Sequence, residues 1–149
     1  MKVDTHLTQN WRKVPAAVQA AEADGYDGVG TAEMNHDPFF PLLLAAEHSE
    51  SIEIRTGIAV AFARSPMILA NQAHDLNAYS KGRFTLGLGS QIRPHITKRF
   101  SMPWGAPAAQ MRELIQAMRA IWANWYDGEP LRFEGKYYNH TLMTPAFTP

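Results

Sequence analysis

The chain has 149 residues, 46% of them hydrophobic and 19% charged, with 14 Lys+Arg set against 14 Asp+Glu for a formal net charge of zero. That is the profile of one soluble globular domain, and it excludes disorder and collagen-like repeats. The balanced charge argues against a nucleic-acid partner, whose phosphates call for excess Lys and Arg, and the lack of any Cys excludes disulfides, thiolate nucleophiles and Cys-ligated metals.

Val3 to Leu7 reads as a short strand. Val14, Ala17, Val18 and Ala21 then recur at helical spacing until Asp24-Gly25 closes the helix. Gly28 to Ala32 reads as a second strand, weak in propensity because of its glycines. Asp37-Pro38 marks a helix start, with Asp as N-cap, and the helix continues to about His48. Ile52 to Phe62 reads as one unbroken strand, whose run Gly57 to Phe62 suggests burial on both faces. Ser65-Pro66 repeats the cap signal for a helix from Met67 to about Ser80, which Lys81-Gly82 stops. Arg83 to Gly89 is a fourth strand, with Phe84, Leu86 and Leu88 alternating. Ser90 to Ala109, carrying Pro94, Pro103 and Pro107, is expected to be irregular. Met111, Leu114, Ile115, Met118, Trp122 and Trp125 then mark one apolar helix face, ended by Asp127-Gly128. Residues 131–139 read as a hairpin turning at Glu134-Gly135.

Strands separated by helices mean a parallel sheet. Two architectures satisfy this order: an open doubly wound sheet, or part of an eight-stranded α/β barrel, of which four strands are about half. Met1 leads into Lys2-Val3-Asp4 without an apolar leader, and the longest apolar run, Pro38 to Ala46, is well short of the ~20 residues that span a bilayer. A cytoplasmic protein with no membrane partner is expected.

In parallel α/β folds ligands gather at the carboxyl ends of the strands. Those ends carry His6, then Glu33, Asn35, His36 and Asp37, then Phe62 and Arg64, then Gly89, Ser90 and Gln91. His6 and His36 are the candidate proton-transfer groups, since imidazole titrates near neutrality. The plainer reading of His36 is a helix-capping loop around Asp37. The histidines at 6, 36, 48, 74, 95 and 140 have no metal-ligand spacing, so no metal is expected. Gly87-Leu88-Gly89-Ser90 lacks the third glycine of a dinucleotide fingerprint, Ile92 standing in its place. Arg93, His95, Lys98 and Arg99 form a basic run that suits either a ligand's acidic groups or water, and Trp122 and Trp125 read as core.

Several stretches in one order resemble the luciferase-like monooxygenase superfamily, and within it the branch dependent on the deazaflavin coenzyme F420. They are Ala20 to Gly28, Pro41 to Arg55, Thr56-Gly57-Ile58-Ala59-Val60, Lys81 to Ser90, and Ala120-Ile121-Trp122 followed by Phe133 to Tyr138. Asn35-His36-Asp37-Pro38-Phe39 and His140 to Pro145 are similar to one subgroup in particular. The resemblance implies a (β/α)8 TIM-barrel type of fold, of which residues 1–149 form one domain and the N-terminal half. Residues 1–90 are then the βα core, and 91–149 a loop, helix and hairpin insertion. It implies a hydride-transferring oxidoreductase acting on a small molecule with coenzyme F420, or with FMN as the same-fold alternative. It also implies a non-prolyl cis peptide at Gly57-Ile58. Val60 would face the cofactor ring, Glu33 would bond its edge, and Gly89, Ser90 and Gln91 would contact its tail or substituents. The chain departs from the pattern at Met34, where many relatives place a proton-transferring His, and offers His36 two positions later. It also stops where a second half-barrel would begin, so the expectation is a homo-oligomer, or association with the missing C-terminal half. A non-catalytic half-barrel acting as an assembly module is the alternative of another class.

Overall fold

Glycines at alternate positions of a strand leave a lane free of side chains, and a long polar side chain from the next strand can lie in it. This happens at the centre of the sheet. In a computed structural model describing residues 1–149, the strands in chain order are β1 (Asp4–His6), β2 (Gly28–Thr31), β3 (Glu53–Thr56), β4 (Ala59–Val60), β5 (Phe84–Thr85) and β6 (Leu88–Gly89). They precede an antiparallel pair, β7 (Phe133–Glu134) and β8 (Asn139–His140). The helices are α1 (Val14–Ala23), α2 (Phe39–Glu47), α3 (Pro66–Tyr79) and α4 (Pro107–Asp127). No helix is long and apolar enough to cross a membrane. The chain divides into two compact units, residues 1–60 with 72–89 and residues 61–71 with 90–149.

In the first unit β1, β2, β3 and β5 form a parallel sheet in that order. Val29 and Ile54 are wholly buried on one face, in a core that also holds Val14, Val18, Leu42 and Ala45. On the other face the Arg55 guanidinium lies over Gly28, where a Cβ would stand 2.9 Å from Nη2 and 2.7 Å from Asp4 Oδ1. Arg55 pairs with Asp4 at 2.5 Å and with Glu53 at 3.1 Å, and Glu53 in turn meets Lys2. The weak strand propensity of Gly28-Val29-Gly30 is thus the cost of seating an ion network across three strands.

The expected single strand over Ile52 to Phe62 is two strands and a 3-10 turn at Ala61–Ala63, and the expected strand over Arg83 to Gly89 is likewise two. The ladder Ile54↔Phe84, Arg55↔Thr85 gives way to Ala59↔Leu88, Val60↔Gly89. Between the two ladders residues 56–58 oppose residues 86–87, a one-residue bulge. The Thr56 hydroxyl bridges the gap, donating to Gly87 O at 2.7 Å and accepting from Gly87 N at 2.8 Å. Gly87 is required there, because a Cβ would lie 2.1 Å from the Thr56 carbonyl oxygen. The continuous apolar character of Gly57 to Phe62 hides the break in the first of these strands.

In the second unit α4 buries Gln110, Leu114, Ala117, Met118 and Ile121. Ile115, assigned to that face by its spacing, is 37% exposed. Trp122 packs beside Ile121 and Leu131 and donates Nε1–H to the Ala70 carbonyl at 3.3 Å. Gly128 closes the helix at φ +71°. His95–Arg99 form a short π-helical turn where irregular chain was expected. Glu113 on α4 accepts from Tyr137 N at 2.6 Å and Tyr138 N at 2.8 Å, which holds the hairpin turn.

Candidate active site

The bulge turns out backbone groups that a regular ladder would use, and the end of β2 and the loop after it take them up. The Gly57-Ile58 peptide is cis. Gly57 N donates to Thr31 O at 2.6 Å, and Glu33 N to Ile58 O at 3.2 Å. The Glu33 carboxylate reaches back to accept from Val60 N at 2.7 Å, so the loop after β2 is laced to both sides of the bulge. The Val60 side chain is wholly buried, and the surface at this place belongs to Ile58, 36% exposed. Gly89 lies beneath Ile58: a Cβ on it would sit 2.7 Å from Ile58 Cδ1. A side chain at 89 would push Ile58 outward, and its lack leaves an apolar shelf made by Gly57, Ile58 and Gly89.

His6 and His36, both exposed, share a cavity of about 270 Å³ in the same unit, which Trp11, Thr31, Met34 and Asp37 also line. The His36 ring meets Trp11 edge-on at 5.7 Å between centroids, and Trp11 leans on Phe40 at 5.6 Å. Thr31 is buried and donates its hydroxyl to Pro38 O at 2.9 Å, which ties the end of β2 to the start of α2. Asp37 accepts from Phe39 N at 2.8 Å, the capping role its sequence position suggested.

Of the residues singled out in the sequence, the structure brings Glu33, Gly57, Ile58, Val60 and Gly89 together at the bulge, and His6 and His36 together at the cavity. Ser90 and Gln91 belong to the other compact unit. There the Ser90 hydroxyl donates to Gln91 O at 3.1 Å, and Gln91 stands at φ +58°. Thr31 and Trp11 were not among the candidates.

The luciferase-like monooxygenase family model matches residues 2–149. An uncharacterized protein of Mycobacterium tuberculosis is 58% identical over all 149 residues, which is 44% of its own length. A second M. tuberculosis protein, whose name assigns it provisionally to the coenzyme F420-dependent oxidoreductases, is 31% identical over 132 residues, 88% of this chain and 37% of that one. Among solved structures, the FMN complex of the oxygenating constituent of 3,6-diketocamphane monooxygenase from Pseudomonas putida superposes with a TM-score of 0.80 at 17% identity, covering 97% of this chain and 45% of that one. The fold is the parallel α/β, TIM-barrel type of such neighbours, and the chain spans about half the length of the proteins it matches.

Proposed function

Because the chain belongs to the luciferase-like monooxygenase family, we propose that it binds a deazaflavin of the coenzyme F420 type on the Ile58–Gly89 shelf and serves hydride transfer to or from a small organic molecule at the His6/His36 cavity. The observation that carries this reading is the side-chain-free shelf over Gly89, edged by a carboxylate and set on a bulge. The resemblance to the M. tuberculosis relative named for F420 favours the deazaflavin.

The cofactor, when bound, supplies the hydride chemistry. The chain's own residues bind and orient. Gly57, Ile58 and Gly89 seat the ring, while Glu33 holds the β4 edge through Val60 N and presents its carboxylate to the ring edge. His36, steadied by Trp11, exchanges a proton with the substrate at an imidazole nitrogen, and His6 is the second candidate for that role. We read residues 1–149 as the N-terminal half of a barrel. A second copy or a companion C-terminal half covers the open edges of the sheet, and the setting is cytoplasmic. The second reading, FMN-dependent oxygenation, draws on the FMN complex of like fold.

Fluorescence titration of the 149-residue chain with coenzyme F420, run beside FMN, tests this. Saturable micromolar binding of F420 is expected, weakened about tenfold or more by Gly89→Val and by Glu33→Ala. Tighter binding of FMN selects the second reading. Binding of neither, or variants that bind as the wild type does, refutes both and leaves the non-catalytic module.

A further inference from the structure

A second recess, of about 310 Å³, lies within the second compact unit, and neither Ser90 nor Gln91 lines it. Its walls include Phe62, Met102, Trp104, Tyr137 and Tyr138, and Phe62 meets Trp104 edge-on at 5.8 Å. Gln110, 5% exposed, is built into it: Oε1 accepts from Gly105 N at 3.1 Å, and Nε2 donates to the Tyr138 hydroxyl at 3.2 Å. Ala106 N donates to the Tyr137 hydroxyl at 3.4 Å. Glu113 fixes the backbone of both tyrosines from behind. Each phenol oxygen therefore accepts a hydrogen bond from the protein, while its proton has no acceptor in the chain. A tyrosine hydroxyl donates as well as accepts. Burial holds the Tyr138 hydroxyl above the usual phenol range, so that proton is present at neutral pH. No carboxylate lines the recess, and its one formal charge is the Arg64 guanidinium.

A wall of rings with two oriented donors and no acid selects a flat apolar body carrying acceptor oxygens. The volume is at the small end of ligand sites, and a cavity of about 150 Å³ already takes benzene. We propose that this recess binds a small aromatic carboxylate, its ring against Phe62 and Trp104 and its carboxylate taking the protons of Tyr137 and Tyr138. The proposal stands apart from cofactor binding in the first unit.

Benzoate is the probe, and the readout is the set of four tryptophan indole N–H signals in a nitrogen-15 NMR spectrum, that of Trp104 being identified by its loss in Trp104→Phe. The expected result is a saturable shift of the Trp104 signal at millimolar benzoate or below, with those of Trp11, Trp122 and Trp125 unmoved. Tyr137→Phe and Tyr138→Phe should each raise Kd about tenfold. Benzyl alcohol, which keeps the ring, and cyclohexanecarboxylate, which keeps the acid, should each bind at least about tenfold more weakly. The proposal fails if the Trp104 signal stays in place at about 10 mM benzoate, or if either control binds as benzoate does. It fails equally if the double Tyr→Phe variant, its indole dispersion showing it folded, loses no affinity. The three-probe titration of the wild type decides the matter even where a variant does not fold.

Discussion

Two side chains hold the αβ turns of the first unit together. Glu22 on α1 accepts from Ser51 N at 2.6 Å, the Ser51 hydroxyl at 2.7 Å and Ile52 N at 2.9 Å, with Glu50 N at 3.2 Å, and so gathers the turn that enters β3. Burial raises its pKa, but the hydrogen bonds from Ser51, Ile52 and Glu50 outweigh that and hold it down to about 2. A carboxyl whose folded pKa is depressed adds stability above its unfolded pKa, here 4.5, and that stability is lost as pH falls from there toward 2. Glu22→Gln should therefore cost about 1–2 kcal/mol at pH 7, with the gap closing as pH falls toward 3. Urea-unfolding midpoints of both proteins across that range check it. Arg83 is the counterpart, spending all its donors on Ser80 O, the Ser49 hydroxyl, Ile52 O, Ala46 O and Ser49 O, each at 2.9–3.1 Å. An ammonium cannot reproduce that fork, so Arg83→Lys should lower stability by about 2 kcal/mol in the same assay. Neither residue announces itself in the sequence. A side chain that bonds main-chain atoms leaves no periodicity, whereas the cap at Asp37 has a fixed position relative to its helix and was legible.

At the scale of elements, the order of strands and helices could be read through Gly89, because the alternation of apolar runs with capped helices reports it directly. The break in the third and fourth strands could not. Gly57 to Phe62 is apolar throughout, so the pattern carries no phase to show where the register slips, and only the Thr56–Gly87 bridge marks the place. Thr56→Val should remove both bonds and cost about 1–3 kcal/mol, while Thr56→Ser retains them and most of the stability. Gly87→Ala places a methyl against the Thr56 carbonyl and should cost at least as much. If the shelf is the cofactor's seat, both destabilised variants should also bind F420 more weakly than Thr56→Ser does. A weaker melt with unchanged cofactor affinity would separate the bulge from the function. Of the candidate site, Glu33 was legible as a polar residue at a strand end, but its bond to Val60 N was not, since the two are brought together only by the bulge.

For the whole molecule the controlling fact is that the sheet order β1-β2-β3-β5 leaves two parallel edges, at β1 and β5, while the matched proteins are about twice as long. An open parallel edge pairs with further strands when they are offered. The 149-residue chain should thus elute from size-exclusion chromatography with light scattering as a dimer or larger. A strict monomer at about 100 μM would count against self-association and favour a companion half as the covering element. The barrel type was legible from motif order. What completes the barrel was not, because edge strands look like any others in sequence.

The bulge acts as a dislocation in the sheet. Ahead of it Arg55 stands beside Thr85, and behind it Val60 stands beside Gly89, so the third strand has spent one residue more than the fourth to arrive at the same height. Side-chain facing in a strand repeats every two residues, and the extra residue in 56–58 is what lets Val60, five positions past Arg55, stand beside Gly89, four positions past Thr85. Chain length between Arg55 and Ala59 is therefore as constrained as any residue identity there. Insertions that surface turns elsewhere absorb would here break that match.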